Sequence, residues 1–395
     1  MTARDTTRTL VALVVGQVCL HACMAGTRMA APLLALRDGH AAWAVGLLLG
    51  LFAVVPIALA LTAGRLADRY GYHRPMWIAI ALTVTGGLLA VLATVVTSGR
   101  FGVLCLAAAF AGAGANFGLI TIQRTAGRSA ADATELKRVF SWLGLAPALA
   151  NVAGPVLAGA LIDHAGFRAA FAALSVLPAI AWWWARRVPV EAVAATPSAA
   201  KARSSWELLA APGFRRLLLV NWLLSSSWDV HSFLVPILGH ERGFSASAIG
   251  LVLGVFATSV AAIRVAIPSI AHRLRESVVL VGAMLTTTAV FLVYPFAQGP
   301  WVMGVCASVL GLALGAVQPM IMATLHQITP DQRHGEAIAL RSMTINLSSA
   351  LMPFVFGFAG AALGASWLFW LMAGAVGAGS VPARRIGEGA GPRAP

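Results

Sequence analysis

The stretch 62-TAGRLADRYGYHRPMW-77 places Arg65, Asp68, Arg69, His73 and Arg74 within ten residues. Apolar blocks lie directly on either side of it, 43-WAVGLLLGLFAVVPIALAL-61 before and 77-WIAIALTVTGGLLAVLATVV-96 after. Each block is long enough to cross a hydrocarbon core of about 30 Å as a helix. The stretch therefore predicts a short charged connection between two membrane-spanning helices.

The composition of the whole chain fits this local pattern. Of the 395 residues, 59% are hydrophobic and only 11% are charged, whereas a soluble domain averages about 25% charged residues. A water-facing fold could not bury so much apolar surface. The sequence predicts an all-α, multi-pass integral membrane protein.

Twelve apolar segments follow one another along the chain. They are 10–35, 43–63, 76–97, 101–122, 139–162, 167–185, 217–238, 246–270, 277–296, 301–325, 336–363 and 366–381. The long polar stretch 186–213 divides them six and six. We therefore expect an N-terminal six-helix bundle (1–185), a cytoplasmic central loop (186–213) and a C-terminal six-helix bundle (214–395).

The net charge of +14 comes from loops between the apolar segments. Basic patches can indicate nucleic acid, but here the loop pattern reads better as a topology signal. With the N-terminus inside, the basic residues of loops fall on the inner side except for Arg37, Arg100, Arg168 and Arg242. This bias predicts cytoplasmic termini. We expect a bacterial inner-membrane protein that binds no nucleic acid.

The two halves of the chain repeat each other. Shifted by 204 residues, 32-PLLALRDGHAAWAVGLLLGLFA-53 aligns without gaps on 236-PILGHERGFSASAIGLVLGVFA-257. A second block, shifted by 198 residues, pairs Pro155 with Pro353 and Gly159 with Gly357. Two six-span repeats are the architecture of many secondary transporters, which bind substrate near the midplane. The motifs Gly46-x-x-x-Gly50 and Gly250-x-x-x-Gly254 predict close helix packing.

At the charged stretch the sequence resembles the major facilitator superfamily. The segment 64-GRLADRYGYHR-74 is similar to that family's signature between spans two and three, G-x-L-A-D-R-x-G-R-[RK], although Tyr72 and His73 replace basic residues. The resemblance implies a twelve-helix transporter fold of two pseudo-symmetric bundles.

The resemblance also implies a conformational latch, in residues Gly64, Asp68, Arg69, Gly71 and Arg74. In the family this segment is thought to stabilise the outward-open state. Glycine permits close backbone approach, and Asp68 can accept hydrogen bonds from helix N-terminal N–H groups and from arginine. The alternative is that the arginines only anchor the loop at anionic lipid. In the second half the equivalent loop, 268-PSIAHRLRESVVL-280, keeps only a remnant of the motif.

Two further motifs bear on the direction of transport. The segment 154-GPVLAG-159 resembles part of the antiporter signature of the drug-efflux branches, so Gly154 and Pro155 favour export; a kink for helix packing explains them equally well. The drug:proton antiporters also carry an arginine in span four, where 106-LAAAFAGAG-114 has Phe110. That departure weakens the case for a conventional multidrug antiporter.

Charged residues inside spans usually line a cavity. Arg28 in span one and Asp229 in span seven occupy equivalent stripes of the repeat, about one helical turn apart in height, and we expect that they can pair. Asp229 is the only acid deep within a span. It is therefore the leading candidate for proton carrier, with His231 and His21 after it.

Other polar residues of the spans complete the candidate substrate and proton site. Arg341 and Arg264 lie nearer the inner ends of their spans, where each could snorkel to the interface, and Glu336 could pair with Arg341. Three span arginines and one aspartate would leave a positive cavity suited to a carboxylate or phosphate. Asn116 and Gln318 are candidate polar contacts, with a packing role as the alternative.

The sequence predicts no cofactor and no bound metal. Cys19, Cys23, Cys105 and Cys306 all fall within apolar blocks, and no loop carries a catalytic cluster of His, Asp and Glu. We therefore expect no enzymatic activity, and a monomer in the lipid bilayer. The sequence favours a secondary transporter of a small organic solute, coupled to protons and working in export. The alternatives are proton-coupled uptake of an organic anion, and a transport-inactive membrane sensor.

Overall fold

The structure, a computed structural model, describes residues 3–40, 42–190, 204–244 and 246–386. Within these ranges the chain is helical and contains no β-strand. The helices are α1 (Ala3–Arg37), α2 (Ala42–Tyr70), α3 (His73–Ala93), α4 (Arg100–Ser129), α5 (Ala133–Ala185), α6 (Pro212–Glu241), α7 (Ala246–Ile270), α8 (Glu276–Val293), α9 (Pro300–Ile328), α10 (His334–Leu363) and α11 (Ala365–Arg384).

Helix α5 consists of two helices that meet at Gly166, where φ is 80° and ψ is 172°. With that division, every predicted span coincides with one helical segment. In the described ranges, nine segments are long and apolar enough to cross a membrane. Helix α6 is not among them, since it carries Asp229, His231 and several serines. The prediction of an all-α, multi-pass membrane protein is confirmed.

The charged stretch itself is more helical than the sequence suggested. Helix α2 continues to Tyr70, so Gly64–Tyr70 form its last two turns. Gly71 ends the helix with φ of 69°, and its N–H donates to the carbonyl of Ala67 at 3.0 Å. Because residues four apart share a helix face, Gly64 and Asp68 face the same neighbour.

The internal repeat is visible in the backbone turns. Gly39 and Gly243, 204 residues apart, both adopt positive φ, of 83° and 70°. The residue after each donates to the carbonyl four positions before the glycine, at 3.0 Å from His40 and 2.9 Å from Phe244. The second register holds as well, since Gly166 and Gly364 have φ of 80° and 84°. The two halves therefore repeat in conformation as well as in sequence.

The helices form two compact units. The first comprises Met1–Ser129, Leu143–Ser205 and Asp331–Asn346; the second comprises Ala130–Trp142, Trp206–Pro330 and Leu347–Pro395. Each unit is built around a central helix: α4 packs against α1, α2 and α3, and α9 packs against α6, α7 and α8. The predicted domain boundaries remain a prediction, and residues 191–203 of the predicted central loop lie outside the described residues.

Glycines of the two central helices permit close packing. A Cβ on Gly112 of α4 would lie 2.6 Å from the carbonyl oxygen of Phe52, and one on Gly311 of α9 would lie 2.5 Å from that of Phe256. A Cβ added to Gly46, Gly50 or Gly254 would meet no described atom within 4 Å, so close packing at those three glycines stays a prediction.

Candidate functional site

Asp68 joins the end of α2 to the start of α10 within the first unit. Its Oδ1 accepts a hydrogen bond from the N–H of Gly335 at 2.8 Å, and its Oδ2 accepts from the N–H of Glu336 at 3.0 Å. Helix α10 begins at His334, so both N–H groups belong to its first turn and have no acceptor within the helix. A carboxylate there also faces the positive end of the helix dipole. We call this set of interactions the α2–α10 contact.

Two glycines let the helices meet at the α2–α10 contact. A Cβ on Gly64 would collide with the carbonyl group of Gly335, and a Cβ on Gly335 would collide with that of Gly64. The same added Cβ on Gly64 would lie 2.9 Å from the Cβ of Ala339. No side chain larger than hydrogen fits at either position without displacing a helix.

Arg124 of α4 completes the contact, and sequence reasoning missed it. Its Nε lies 3.4 Å from Oδ1 of Asp68, and the arginine side chain is only 1% exposed. The predicted span 101–122 ends before Arg124, but α4 continues to Ser129. The signal was present, since the apolar pattern of 117-FGLITI-122 runs on without a turn residue before Arg124.

Glu336 extends the contact through a second set of charges. Its carboxylate pairs with Arg333 at 2.8 Å and with Arg65 at 3.6 Å. Arg65 also donates to the hydroxyl of Ser205 at 3.1 Å. The expected pair between Glu336 and Arg341 stays a prediction, and Arg341 itself is buried.

Arg69 and Arg74, the two predicted latch arginines, form no hydrogen bond or ion pair with the described part of α10. The guanidinium groups of Arg69 and Arg74 lie over the ring of Tyr70, at 5.2 and 4.7 Å from its centroid. Gly71 supplies the turn that ends α2. The structure therefore brings together Gly64 and Asp68 with α10, and places Arg69 and Arg74 on the exposed side of the turn.

A second contact of the same kind joins the start of α5 to the end of α7, within the second unit. Lys137 is buried, and its Nζ donates to the carbonyls of Leu274 at 2.5 Å and of Ala271 at 3.4 Å. It also pairs with Glu276 at 3.2 Å. Arg138 donates to the carbonyl of Pro268 at 3.0 Å. We call this set the α5–α7 contact.

The α5–α7 contact lies at positions that the internal repeat makes equivalent to those of the α2–α10 contact. The charges of the side chains that hold the two contacts are opposite. Pro268 corresponds to Gly64 in the 204-residue register, and Lys137 corresponds to Gly335 in the 198-residue register. In the first contact an acid accepts from a helix N-terminus. In the second, a lysine donates to carbonyls at a helix C-terminus, the negative end of the dipole. The sequence shows only a remnant of the motif here, because 268-PSIAHRLRESVVL-280 contains no aspartate.

Asp229 and His231 lie in the second unit in different surroundings. Asp229 is half-buried, and its Oδ2 accepts a hydrogen bond from the hydroxyl of Ser349 on α10 at 3.1 Å. His231 is fully buried, with Nδ1 3.1 Å from the hydroxyl of Tyr294 and its ring centroid 4.3 Å from that of Phe256. Of the two, only Asp229 retains access to its surroundings.

Arg264 and Gln318 form a buried pair in the second unit. Arg264 is 7% exposed, and its guanidinium donates to Oε1 of Gln318 and to the carbonyl of Gly315, each at 3.3 Å. The snorkelling considered for Arg264 is therefore wrong, since α9 supplies acceptors inside the unit. Gln318 is engaged by this arginine.

The remaining predicted site residues belong to the first unit. Asn116 is buried, donates to the carbonyl of Pro56 at 3.3 Å and accepts from the hydroxyl of Ser342 at 2.8 Å. On α1, Arg28 is exposed and His21 is partly buried. The pairing of Arg28 with Asp229 stays a prediction, since it concerns residues of different units.

Gly154 is a packing position between α5 and α1. A Cβ added there would collide with the carbonyl of Ala22 and would lie 2.9 Å from the nitrogen of Gly26. This contact favours the packing explanation of 154-GPVLAG-159, and a kink at Pro155 stays a prediction. Elsewhere in the described ranges, no group of three His, Cys, Asp or Glu residues is placed to hold a metal ion.

Comparison with known proteins agrees with this architecture. The family model described as Major Facilitator Superfamily matches residues 13–228 and 217–388. A maltose permease of Geobacillus stearothermophilus is 27% identical over 287 residues, which cover 69% of this chain and 71% of that protein.

Two solved structures share the fold. A bacterial homologue of the iron transporter ferroportin, in an outward-facing state, has a TM-score of 0.79 at 19% identity, covering 96% of this chain and 99% of that chain. The human organic anion transporter MFSD10 (TETRAN) has a TM-score of 0.76 at 16% identity, covering 97% and 100%. At such identities the likeness extends to the fold alone.

Proposed function

Since the chain belongs to the Major Facilitator Superfamily, we propose that it exports a small organic solute in exchange for protons, by alternating access. The family makes it a membrane transporter of a solute. Its direction, its coupling to protons and the class of solute are our proposals. We further propose that it works as a monomer in a bacterial inner membrane, with both termini in the cytoplasm.

One observation carries the proposed mechanism: Asp68 holds the first turn of α10 through two N–H groups. Hydrogen bonds to a charged group are worth about 1.5–3 kcal/mol each, so a contact of this size is strong enough to favour one state and weak enough to release. The α5–α7 contact gives the second unit a comparable set of releasable bonds. Alternating access requires such bistable contacts.

The proton-coupling proposal rests on Asp229. Carboxylates within membrane spans are rare and often serve as proton relays. Asp229 is half-buried, and the contact that the described residues give its carboxylate is the hydroxyl of Ser349, a neutral group. A carboxylate held by a neutral partner can take up and release a proton without breaking an ion pair. His231 suits this role less well, because its ring is enclosed by Tyr294 and Phe256.

Uptake of an organic anion is the second candidate. Arg28 on α1 is exposed, and its guanidinium is suited to a two-point contact with a carboxylate or phosphate. The structural neighbour MFSD10 is described as an organic anion transporter, and the relative from Geobacillus stearothermophilus as a permease. Under this reading Arg28 would bind the solute and Asp229 would still carry the proton.

Ligand binding and flux test the two proposals together. Purified protein is screened by thermal shift against matched anionic, neutral and cationic solutes, and the solutes that stabilise it are assayed for movement in liposomes under an imposed pH gradient. Export predicts solute movement opposite to the proton gradient, and uptake predicts movement along it. If stabilising solutes move at the rate of protein-free liposomes, transport itself is contradicted.

The charge preference has its own control. Arg28→Ala should weaken binding of anionic solutes while leaving neutral ones unchanged, if the anion reading is right. A wild-type preference for cations that Arg28→Ala does not alter would remove that reading.

A further inference from the structure

Two neighbouring hydrogen bonds join α6 to α10 in the second unit. The hydroxyls of Ser226 and Ser348 lie 2.9 Å apart, and both side chains are buried. The hydroxyl of Ser349 donates to the carboxylate of Asp229, at 3.1 Å from Oδ2 and 3.4 Å from Oδ1. On α6 the two residues that take part are three positions apart, about one helical turn. We call these four residues the α6–α10 contact.

The equivalent helices of the first unit, α1 and α5, pack without an acid. In the 204-residue register Asp229 corresponds to Ala25, and Ser226 corresponds to Ala22. A Cβ added to Gly154 of α5 would collide with the carbonyl of Ala22, so the two backbones approach each other directly. Packing of this helix pair therefore does not require a carboxylate. Acids within membrane spans are costly and usually functional, which favours a functional reason for the one in α6.

No charged side chain in the described part of the second unit forms a hydrogen bond or an ion pair with Asp229. Helix α6 packs against α7, α8, α9 and α11. The ionisable residues of those four helices make no such contact with it, and they are Arg264, Glu276, Cys306, His326 and Arg384.

The other ionisable residues of α6 and α10 are directed elsewhere or lie far along their helices. His231 on α6 contacts the hydroxyl of Tyr294. The remaining ionisable residues of α6 stand near its ends, at Arg215, Arg216, His240 and Glu241. Those of α10 belong to its first part, within the first unit, and are His334, Glu336 and Arg341. The hydroxyl of Ser349 is therefore the neighbour in this unit that acts on the carboxylate through a hydrogen bond.

A hydroxyl can hold both protonation states of a carboxyl group, because it has one donor and two acceptor lone pairs. In the structure Ser349 donates to Asp229. When a proton from the surroundings adds to the carboxylate, the hydroxyl keeps its own proton and turns to accept from the new O–H group. The bond to the ionised carboxylate is the stronger of the two, so the hydroxyl favours the ionised form.

We propose that Ser349 is a positioning residue for the proton step: its hydroxyl orients the carboxylate of Asp229 and sets the pH range in which that carboxylate exchanges its proton. The inference rests on the proposed function, in which Asp229 carries the proton. The two hydroxyls of α10 divide the work. Ser348 is buried and ties α10 to α6, whereas Ser349 is exposed beside the half-buried acid, where a proton can arrive.

Flux measured at stepped pH tests the proposal. Wild type, Ser349→Ala, Ser349→Thr and Ser348→Ala are placed in liposomes with a solute found by thermal shift, under a pH gradient of constant size. Without the hydroxyl, the protonated acid persists to higher pH. In Ser349→Ala the pH at which flux falls to half on the alkaline side should rise by about one unit, a tenfold change in proton affinity. Ser349→Thr keeps the hydroxyl and should restore the wild-type profile, and Ser348→Ala should leave it unchanged.

Infrared spectroscopy gives a second readout that does not depend on transport. The carbonyl band of the protonated Asp229 is identified in purified protein as the band that Asp229→Asn lacks, and it is titrated with pH. In Ser349→Ala the band should move, because a hydrogen bond is lost, and its titration should shift upward like the flux profile. A purely structural role of Ser349 would change neither the band nor its titration.

Three outcomes would overturn the inference: a titration of Asp229 that is the same in wild type and Ser349→Ala, a shift in Ser348→Ala as large as in Ser349→Ala, or no recovery in a folded Ser349→Thr. Failure of the proposed function gives a different result. Full gradient-driven flux in Asp229→Asn overturns the coupling proposal and any part of Ser349 in transport. Loss of that flux, together with an unshifted profile in Ser349→Ala, overturns the inference about Ser349 alone.

Discussion

Asp68 is the residue on which the proposed mechanism depends most. Its carboxylate uses both oxygens on the first turn of α10 and also faces the buried Arg124. Asp68→Asn keeps the shape but leaves one N–H group without an acceptor and removes the charge opposite Arg124. We expect hydrogen exchange in segment 331–346 to rise about tenfold or more, and flux to fall with the protein still in the membrane.

The control for this change is Asp38→Asn. Asp38 pairs with Arg100 at 2.7 Å, but both side chains remain partly exposed, and such pairs contribute about 0–1 kcal/mol. This variant should leave exchange in segment 331–346 as in wild type. Equal exchange in wild type and Asp68→Asn would show that the carboxylate does not hold α10.

Asp229 carries the proton-coupling proposal. Asp229→Asn cannot exchange a proton, so pH-gradient-driven flux should disappear while solute binding stays measurable by thermal shift. Ser348→Ala serves as the control. Ser348 is the neighbour of Ser349, the donor to Asp229, but its own hydroxyl interacts with Ser226. Full gradient-driven flux in Asp229→Asn would transfer the role to His231 or His21.

At the residue scale the sequence indicated Asp68 as an acceptor, but it did not indicate the buried basic residues that take part in the two contacts. Asp68 stood out because it is an acid within a family motif, and Asp229 because it is the only acid deep within a predicted span. Arg124 and Lys137 did not stand out, since a basic residue near a span end usually sets topology. Which of them becomes buried depends on where each helix ends in space, and a single sequence does not contain that information directly.

Among the elements, the approach of α2 to α10 depends on two facing glycines. Gly64→Ala would force a Cβ against the backbone of Gly335, and overpacking of this kind costs about 1–3 kcal/mol. We expect the α2–α10 contact to open, with faster hydrogen exchange in segment 331–346. Gly102→Ala in α4 is the control, as its Cβ would meet no described atom within 4 Å. If both variants exchange alike, the close approach is not required.

The α5–α7 contact makes a separate prediction about charge. Lys137→Met keeps the length of the side chain but leaves two carbonyls without this donor and removes the positive partner of Glu276. We expect a loss of about 1–3 kcal/mol in unfolding free energy, measured by denaturation in detergent. Adding Glu276→Gln should recover part of that loss, because the two residues are coupled.

Arg273→Met is the matched control for Lys137→Met. Arg273 is exposed and its side chain contacts His272 beside it, so the change should stay within about 0.5 kcal/mol. A loss in Arg273→Met as large as in Lys137→Met would mean that any positive charge near the end of α7 suffices.

The sequence predicted that each membrane-spanning helix exists, but it did not predict where each helix ends. Runs of apolar residues identify helices because a bilayer leaves the backbone no other way to satisfy its hydrogen bonds. The ends of α2, α4 and α5 extend past the apolar runs, since charged residues there find partners on other helices. For the same reason Gly64 and Asp68 lie on a helix rather than in a loop.

At the scale of the whole molecule, the repeat organises both contacts. Equivalent positions of the two halves form the α2–α10 and α5–α7 contacts with opposite polarity, and paired glycines turn the chain at equivalent places. The sequence revealed the repeat through its gap-free register. It could not reveal the reversed polarity, because hydrogen bonding to main-chain carbonyls leaves no mark on the residues that supply them.

Reversible cross-linking of the α2–α10 contact tests the central claim most directly. Arg65 and Glu336 lie 3.6 Å apart at their side chains. After replacement of the native cysteines, Arg65→Cys and Glu336→Cys are joined by a short cleavable thiol cross-linker in liposomes that transport a solute found by thermal shift. Alternating access predicts that flux stops when the link is formed and returns when it is cleaved. Undiminished flux with the link in place would contradict the account.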